Sequence, residues 1–166
     1  MEYKTKRQRH DLLRTQLQQE RSSFITRWRD LGDYVLSTRP RFTLTDTNRG
    51  DRKNQKIIDA TASLAARTLR SGMMSGVTSP ARPWFRLTTP DPAMSEYQPV
   101  KEWLHTVGQR MATEFIRSNL YNTLPIIFGD IGTFGTAAML IEESATTLFH
   151  STPLPIGSYC IAVNEE

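Results

Sequence analysis

From about Thr5 to Leu36 the apolar residues Leu13, Leu17, Phe24, Trp28, Leu31 and Val35 recur at steps of four, seven, four, three and four, the stripe of an amphipathic helix. Lys6, Arg7, Arg9, Arg14, Arg21, Arg27 and Arg29 fall mainly between those positions, so the rest of the helix is basic. Thr38-Arg39-Pro40 is expected to close it, because a residue before proline is pushed out of helical geometry. Residues 41–51 are polar, rich in turn formers and without a periodic apolar face, which reads as an exposed loop. A second helix is expected from about Asn54 to Met74. Ile57, Ile58, Thr61, Leu64, Ala65, Thr68 and Leu69 share one side of it, and Ala60, Ala62 and Ala66 keep it slim enough for close packing.

Gly72 and Gly76 bracket Met73-Met74-Ser75, and Ser79-Pro80-Ala81-Arg82-Pro83 adds two prolines, so the second helix is expected to stop at Gly72 and the chain to reverse. Trp84 and Phe85 then anchor the returning segment in the core, with Arg86 to Thr88 extended. A third helix begins near Pro99, where proline suits the first turn, and buries Val100, Trp103, Leu104, Val107, Met111 and Phe115. Leu120 to Phe128 predicts a fourth helix, bent or started near Pro125 and ended by Gly129-Asp130-Ile131-Gly132. Ala137–Ile141, Thr147–His150 and Tyr159–Val163 have the character of short strands. The expected class is therefore α+β. Three to four helices fill the N-terminal two-thirds, a small antiparallel sheet follows, and residues 1–166 form a single region.

Composition narrows the function classes without choosing one. A compact fold of 166 residues buries roughly 70% of its unfolded surface, so a core is within reach. No apolar run approaches the roughly 18 residues of a membrane span, and the start Met1-Glu2-Tyr3-Lys4 lacks the apolar stretch of a secretory signal. Cys160 has no second cysteine to pair with and reads as a buried, inert thiol. The net charge of +4 is unevenly spread: residues 1–72 hold 16 Lys/Arg against 8 Asp/Glu, while residues 73–166 hold 5 against 9, giving +8 and −4. That polarity suits an acidic partner or nucleic acid near the first half, or packing of unlike faces in an oligomer.

The residues offer little for bond-making chemistry. There is no Gly-x-Ser-x-Gly elbow, and His10, His105 and His150 are widely spaced. The run from Gly129 to Thr136 superficially resembles a phosphate-cradling loop but lacks a following Lys-Ser/Thr pair; a tight glycine turn with Phe134 tucked inward is the expectation. Asp130, Glu142 and Glu143 read as solvated strand-end charges and not as cation ligands. No cofactor and no metal site is expected. Lys6, Arg7, Arg9 and Arg14 are the candidate contacts to DNA or an acidic partner, although Asp11, Glu20, Asp30 and Asp33 interrupt the positive helix face. A stand-alone basic helical nucleic-acid-binding module is thus the alternative reading.

One block carries a resemblance. Asp59-Ala60-Thr61-Ala62-Ser63-Leu64-Ala65-Ala66, followed by Leu69-Arg70-Ser71-Gly72-Met73-Met74-Ser75-Gly76-Val77-Thr78-Ser79-Pro80-Ala81-Arg82-Pro83-Trp84-Phe85, resembles the signature of the head-to-tail connecting (portal) proteins of short-tailed bacteriophages. Its flanks agree: Trp28, Arg39-Pro40 and Phe42 precede it, and Phe128 to Ala138, with Gly132, Phe134 and Gly135, resembles the family's next segment. The resemblance implies a structural subunit without enzymatic activity, in a homo-oligomeric, typically dodecameric ring at one capsid vertex. DNA passes through that ring during packaging and ejection. Capsid and scaffolding proteins, terminase and a tail adaptor are the implied partners; the virion, after a stage in the host cytoplasm, is the implied location. Family members run to several hundred residues, so the chain is expected to correspond to an N-terminal, wing-like part, incomplete at its C-terminal end, with stem and clip further along. The sheet edge near Tyr159–Val163 is then expected to pair with another chain.

Overall fold

In a computed structural model the described residues are 5–36 and 57–162. Their order is α1 (Lys6–Val35), α2 (Thr61–Val77), α3 (Pro92–Glu96), α4 (Gln98–Arg117), α5 (Leu120–Phe134), β1 (Ala138–Glu143) and β2 (Phe149–Leu154), with the two strands forming an antiparallel pair. The α+β class holds. The expected closure at Pro40, the loop 41–51 and the helix start at Asn54 lie outside the described residues. The chain forms two compact units: Met1–Ala66 with Asp130–Ala138 and Leu154–Glu166, and Arg67–Gly129 with Met139–Pro153.

In the first unit, α1 begins at a reciprocal cap, in which Thr5 Oγ1 accepts from the Gln8 amide and Gln8 Oε1 accepts from the Thr5 amide. Only its C-terminal half is covered. Arg21, Ile25, Trp28 and Leu31 are half-buried and Gly32 is buried, whereas between Lys6 and Glu20 every residue except Leu17 is exposed. The core of this unit is Phe134 and Ile156, with Trp28, Leu31 and Leu36 packed around them. Arg21 reaches across and donates from Nη1 to the carbonyl oxygens of Gly157 (2.7 Å) and Tyr159 (2.8 Å). Ser63 Oγ donates to the Val35 carbonyl at 2.8 Å, occupying one of the acceptors that a helix C-terminus leaves free.

The second unit is built around aromatic contacts and one amide. Phe115 of α4 stacks on Trp84 at 5.9 Å, packs tilted on Phe85 at 5.4 Å and meets Phe149 of β2 edge-on at 5.9 Å. Trp84 Nε1 donates to the Tyr121 hydroxyl at 3.0 Å. Asn119, between α4 and α5, donates from Nδ2 to the Ser151 carbonyl and accepts from the Ser151 amide at Oδ1, both at 2.7 Å. Thr123 Oγ1 adds a bond to the same carbonyl at 3.2 Å. Leu120 and Phe128 are the buried apolar residues of this unit. The strands are joined by residues 144–148, where Ser144 Oγ accepts from the amides of Thr146 and Thr147.

Several expectations need correction. The second helix neither begins before Thr61 among the described residues nor stops at Gly72; it passes through Gly72 and Gly76 to Val77. A glycine inside a helix costs only about 1 kcal/mol relative to alanine, so it weakens the helix without ending it. The stop is imposed by Pro80, which excludes helical geometry at Ser79 and has no amide proton to continue the ladder. By the same logic α5 runs through Pro125, Gly129 and Gly132 and ends only before Gly135, whose φ of 80° takes the chain out of the helix. The expected glycine turn at 129–136 is therefore mostly helix, although Phe134 does turn inward at 7% exposure.

The predicted third strand is absent over residues 159–162, and Val163 lies outside the described residues. The Arg21 guanidinium occupies the Tyr159 carbonyl that a strand ladder would use. Arg86 to Thr88 form no strand, Trp84 is 38% exposed, and Cys160 is half-buried instead of buried. Trp103, expected inside, is 63% exposed. The face of α4 turned toward the 83–88 segment carries Leu104 and Ala112, and Trp103 lies about 100° round the helix from Leu104.

Replacing Gly135 by alanine forces a Cβ into left-handed geometry and is expected to destabilise the chain by about 1–2 kcal/mol, while Gly72→Ala, which meets no atom within 4 Å, is expected to stabilise it by about 1 kcal/mol. Urea denaturation of the two variants beside the parent should show opposite shifts. Asn119→Ala is expected to cost about 1–3 kcal/mol, because the buried Ser151 backbone loses its amide partner.

Candidate functional site

The residues singled out from sequence fall into three groups. Gly72, Met73, Met74 and Gly76 occupy the last turns of α2, and Ser79, Pro80, Arg82, Pro83, Trp84 and Phe85 the segment that follows; all belong to the second unit. Gly132, Phe134 and Gly135 belong to the first, at the end of α5. Lys6, Arg7, Arg9 and Arg14 lie on the exposed N-terminal half of α1.

Within the first group the turn is held by its own polar atoms. Thr78, only 5% exposed, directs its hydroxyl at the Met74 sulfur at 3.4 Å. Ser79 Oγ accepts from the Ala81 amide, and Arg82 Nη2 reaches back 3.4 Å to the Ser75 carbonyl, satisfying a free acceptor of the helix end. Met73 and Met74 are half-buried; Gly72 and Gly76 present open backbone, with nothing within 4 Å of where a Cβ would stand. The prolines and Arg82 thus deliver Trp84 and Phe85 to the Phe115 ring. No side chain in this block is paired as a nucleophile with a base; its role in the fold is to fix a chain reversal.

Beyond the turn, the 83–88 segment and α4 enclose a half-open cavity of about 320 Å³. Its walls are mainly apolar, with Phe85, Leu87 and Leu104, and Arg86, Lys101 and His105 also line it. Lys101 is hydrogen-bonded to Glu96, and that bond, followed by the Lys101 charge, holds the Glu96 carboxyl below its ordinary value; desolvation opposes them, and the Arg86 charge adds the least. Sequence reasoning missed this cavity. It arises from the irregular 83–88 segment and the short helix α3, neither of which has a periodic pattern. Arg21 was likewise missed as a structural residue. The signal was present in the seven-residue step from Leu17 to Phe24, the one long gap in the α1 stripe, which Arg21 fills.

Among the described residues no cluster of three or more His, Cys, Asp or Glu side chains is placed to hold a metal ion, and no helix is long and apolar enough to cross a membrane. Asp130 is buried at 1% exposure, while Glu142 and Glu143 are exposed on β1.

The family model for the bacteriophage head to tail connecting protein matches residues 7–166. The chain belongs to this family. It is similar to the portal protein of Salmonella phage epsilon15, 52% identical over 147 residues, which cover 89% of the chain and 26% of that protein. It is also similar to the probable portal protein of Bordetella phage BPP-1, 40% identical over 151 residues, covering 91% of the chain and 27% of that protein. The chain therefore spans about a quarter of the length of the curated relatives it matches. The match takes in all three groups of residues except Lys6, which lies one position before it.

Because the Glu96 carboxyl titrates below its ordinary value, its pairing with Lys101 contributes above the ordinary carboxylate range and is lost as pH falls through the lowered folded value. Carbon-detected NMR titration should find that Lys101→Met returns Glu96 toward about 4.5, with little effect on overall stability since both groups are at the surface.

Proposed function

We propose that the chain is part of a structural subunit of a phage portal, a ring at the capsid vertex through which the genome is packaged and later ejected. The observation that carries this reading is the family match over residues 7–166, supported by the two portal relatives. The physical character of the chain supports it too. Large apolar side chains stand at the surface of both units, including Leu12, Leu13 and Phe24 in the first and Trp103, Ile116 and Leu148 in the second. Exposed apolar area on this scale suits a protein that buries it against other chains. The role is one of shape and contact without bond-making. The chain corresponds to an outer, wing-like part of the subunit, residues 1–166 acting as one region of it, and its partners are further copies of the subunit, capsid and scaffolding proteins, terminase and a tail adaptor. Its place is the virion, reached after assembly in the host cytoplasm. The signature from Gly72 to Phe85 serves this role by fixing the chain reversal after α2.

A second reading, direct DNA contact, is favoured by one observation: Lys6, Arg7, Arg9 and Arg14 are all exposed at one end of α1, and the Arg7–Asp11 pair, at 4.0 Å with both side chains largely solvated, neutralises little of that charge.

Size-exclusion chromatography with light scattering on the full portal subunit that this reading implies is expected to give a ring-sized particle; a strict monomer at all concentrations refutes the portal reading. Titration of duplex DNA across salt concentration decides the second: binding that weakens steeply with salt and is lost when the four cations are replaced by glutamine supports it, and salt-independent or absent binding eliminates it.

A further inference from the structure

The cavity beside α4 has a feature that packing does not explain. Gly108 lies in the middle of the twenty-residue helix α4, where glycine costs about 1 kcal/mol relative to alanine. Nothing lies within 4 Å of the position its Cβ would take, so no neighbour demands the missing side chain, and its φ is not of the kind that favours glycine. What the absent side chain leaves open is the cavity, which Gly108 lines. At about 320 Å³ the space is at the lower end of the range for ligand pockets and of a size to take a large side chain.

The chemistry of the walls selects the occupant. Phe85, Leu87 and Leu104 supply apolar surface, and the charged side chains lining the cavity, Arg86 and Lys101, are both cationic. His105 is hydrogen-bonded to Gln109 at 2.9 Å. Among the described residues no carboxylate lines the cavity; Glu96, outside it, is hydrogen-bonded to Lys101, so one of the two lining cations already holds a carboxylate. Asp91 is occupied at the start of α3, where its carboxylate accepts from the Ala93 amide.

We propose that this cavity is a docking site for an acidic peptide segment of a partner protein, a large apolar side chain entering over Gly108 and a neighbouring carboxylate meeting Arg86 and Lys101. The mainly apolar walls favour such a peptide over a bare phosphate backbone, whose contacts are chiefly ionic. The inference goes beyond the portal reading and does not depend on ring assembly.

The test is fluorescence anisotropy on the intact chain with a panel of labelled nonapeptides, each carrying a central phenylalanine, leucine or tryptophan flanked by aspartates. At least one is expected to bind. Replacing its central residue by alanine, or its aspartates by lysines, is expected to weaken binding by about tenfold or more, the scale of one lost charge-assisted contact. In the protein, Arg86→Glu should weaken it by a similar factor. Gly108→Leu should abolish it while leaving the melting temperature unchanged or raised, because leucine improves helix propensity and grows into open space. Unchanged affinity in Gly108→Leu, tolerance of alanine at the centre of the peptide, tighter binding of a single-stranded oligonucleotide of similar length, or no binding by any of the panel up to millimolar concentration would each overturn the proposal.

Discussion

Asn119 uses both ends of its amide on the backbone of Ser151, and the second unit depends on that exchange. The junction between α4 and α5 is a single short step, Ser118-Asn119, so the direction of α5 is set wherever that step is held. Side-chain bonding to a buried strand backbone holds it, since Ser151 is 1% exposed and its amide and carbonyl have no access to water. With α4 and β2 tied together in this way, Phe115 and Phe149 meet, and Trp84 and Phe85 find their aromatic partner. Arg21 plays the corresponding part in the first unit, where a charged fork takes the carbonyls of Gly157 and Tyr159. Each unit thus rests on a polar side chain reaching backbone far away in sequence, with a small apolar cluster beside it.

Those two anchors also mark the limit of what periodicity discloses. The helices α1, α4 and α5 were legible because stripes and a first-turn proline are local signals, and the paired strands because two short segments are separated by a turn-forming stretch within twenty residues. Arg21 and Asn119 act over more than thirty residues of separation, and a polar residue in a stripe reads simply as a gap. The glycines misled for a different reason. Gly72, Gly76, Gly129 and Gly132 look alike on paper to Gly135, yet only Gly135 among these five has positive φ. Whether a glycine ends a helix is decided by what the following residues can do, as Ser79-Pro80 shows after α2.

The candidate sites divide along the same line. The block from Gly72 to Phe85 was legible as a signature because it is contiguous, and its structural work, a reversal sealed by Thr78, Ser79 and Arg82, is performed by neighbours in sequence. The cavity over Gly108 was not legible, since its walls come from an aperiodic segment and one face of α4, and the functional value of a missing side chain leaves no mark in a pattern of apolar and polar residues.

The capped but uncovered first half of α1 has its own consequence. From Lys6 to Glu20 the helix relies on the Thr5–Gln8 box and on hydrogen bonds within the rod, so amide protection against exchange should decline stepwise from Arg21 toward the amino end. The segment can unwind turn by turn without loosening the Arg21 clamp. A partner gripping its cationic tip would therefore take on the entropy of stiffening it, which makes the rod a tether whose compliance is set by how far the grip reaches toward Arg21.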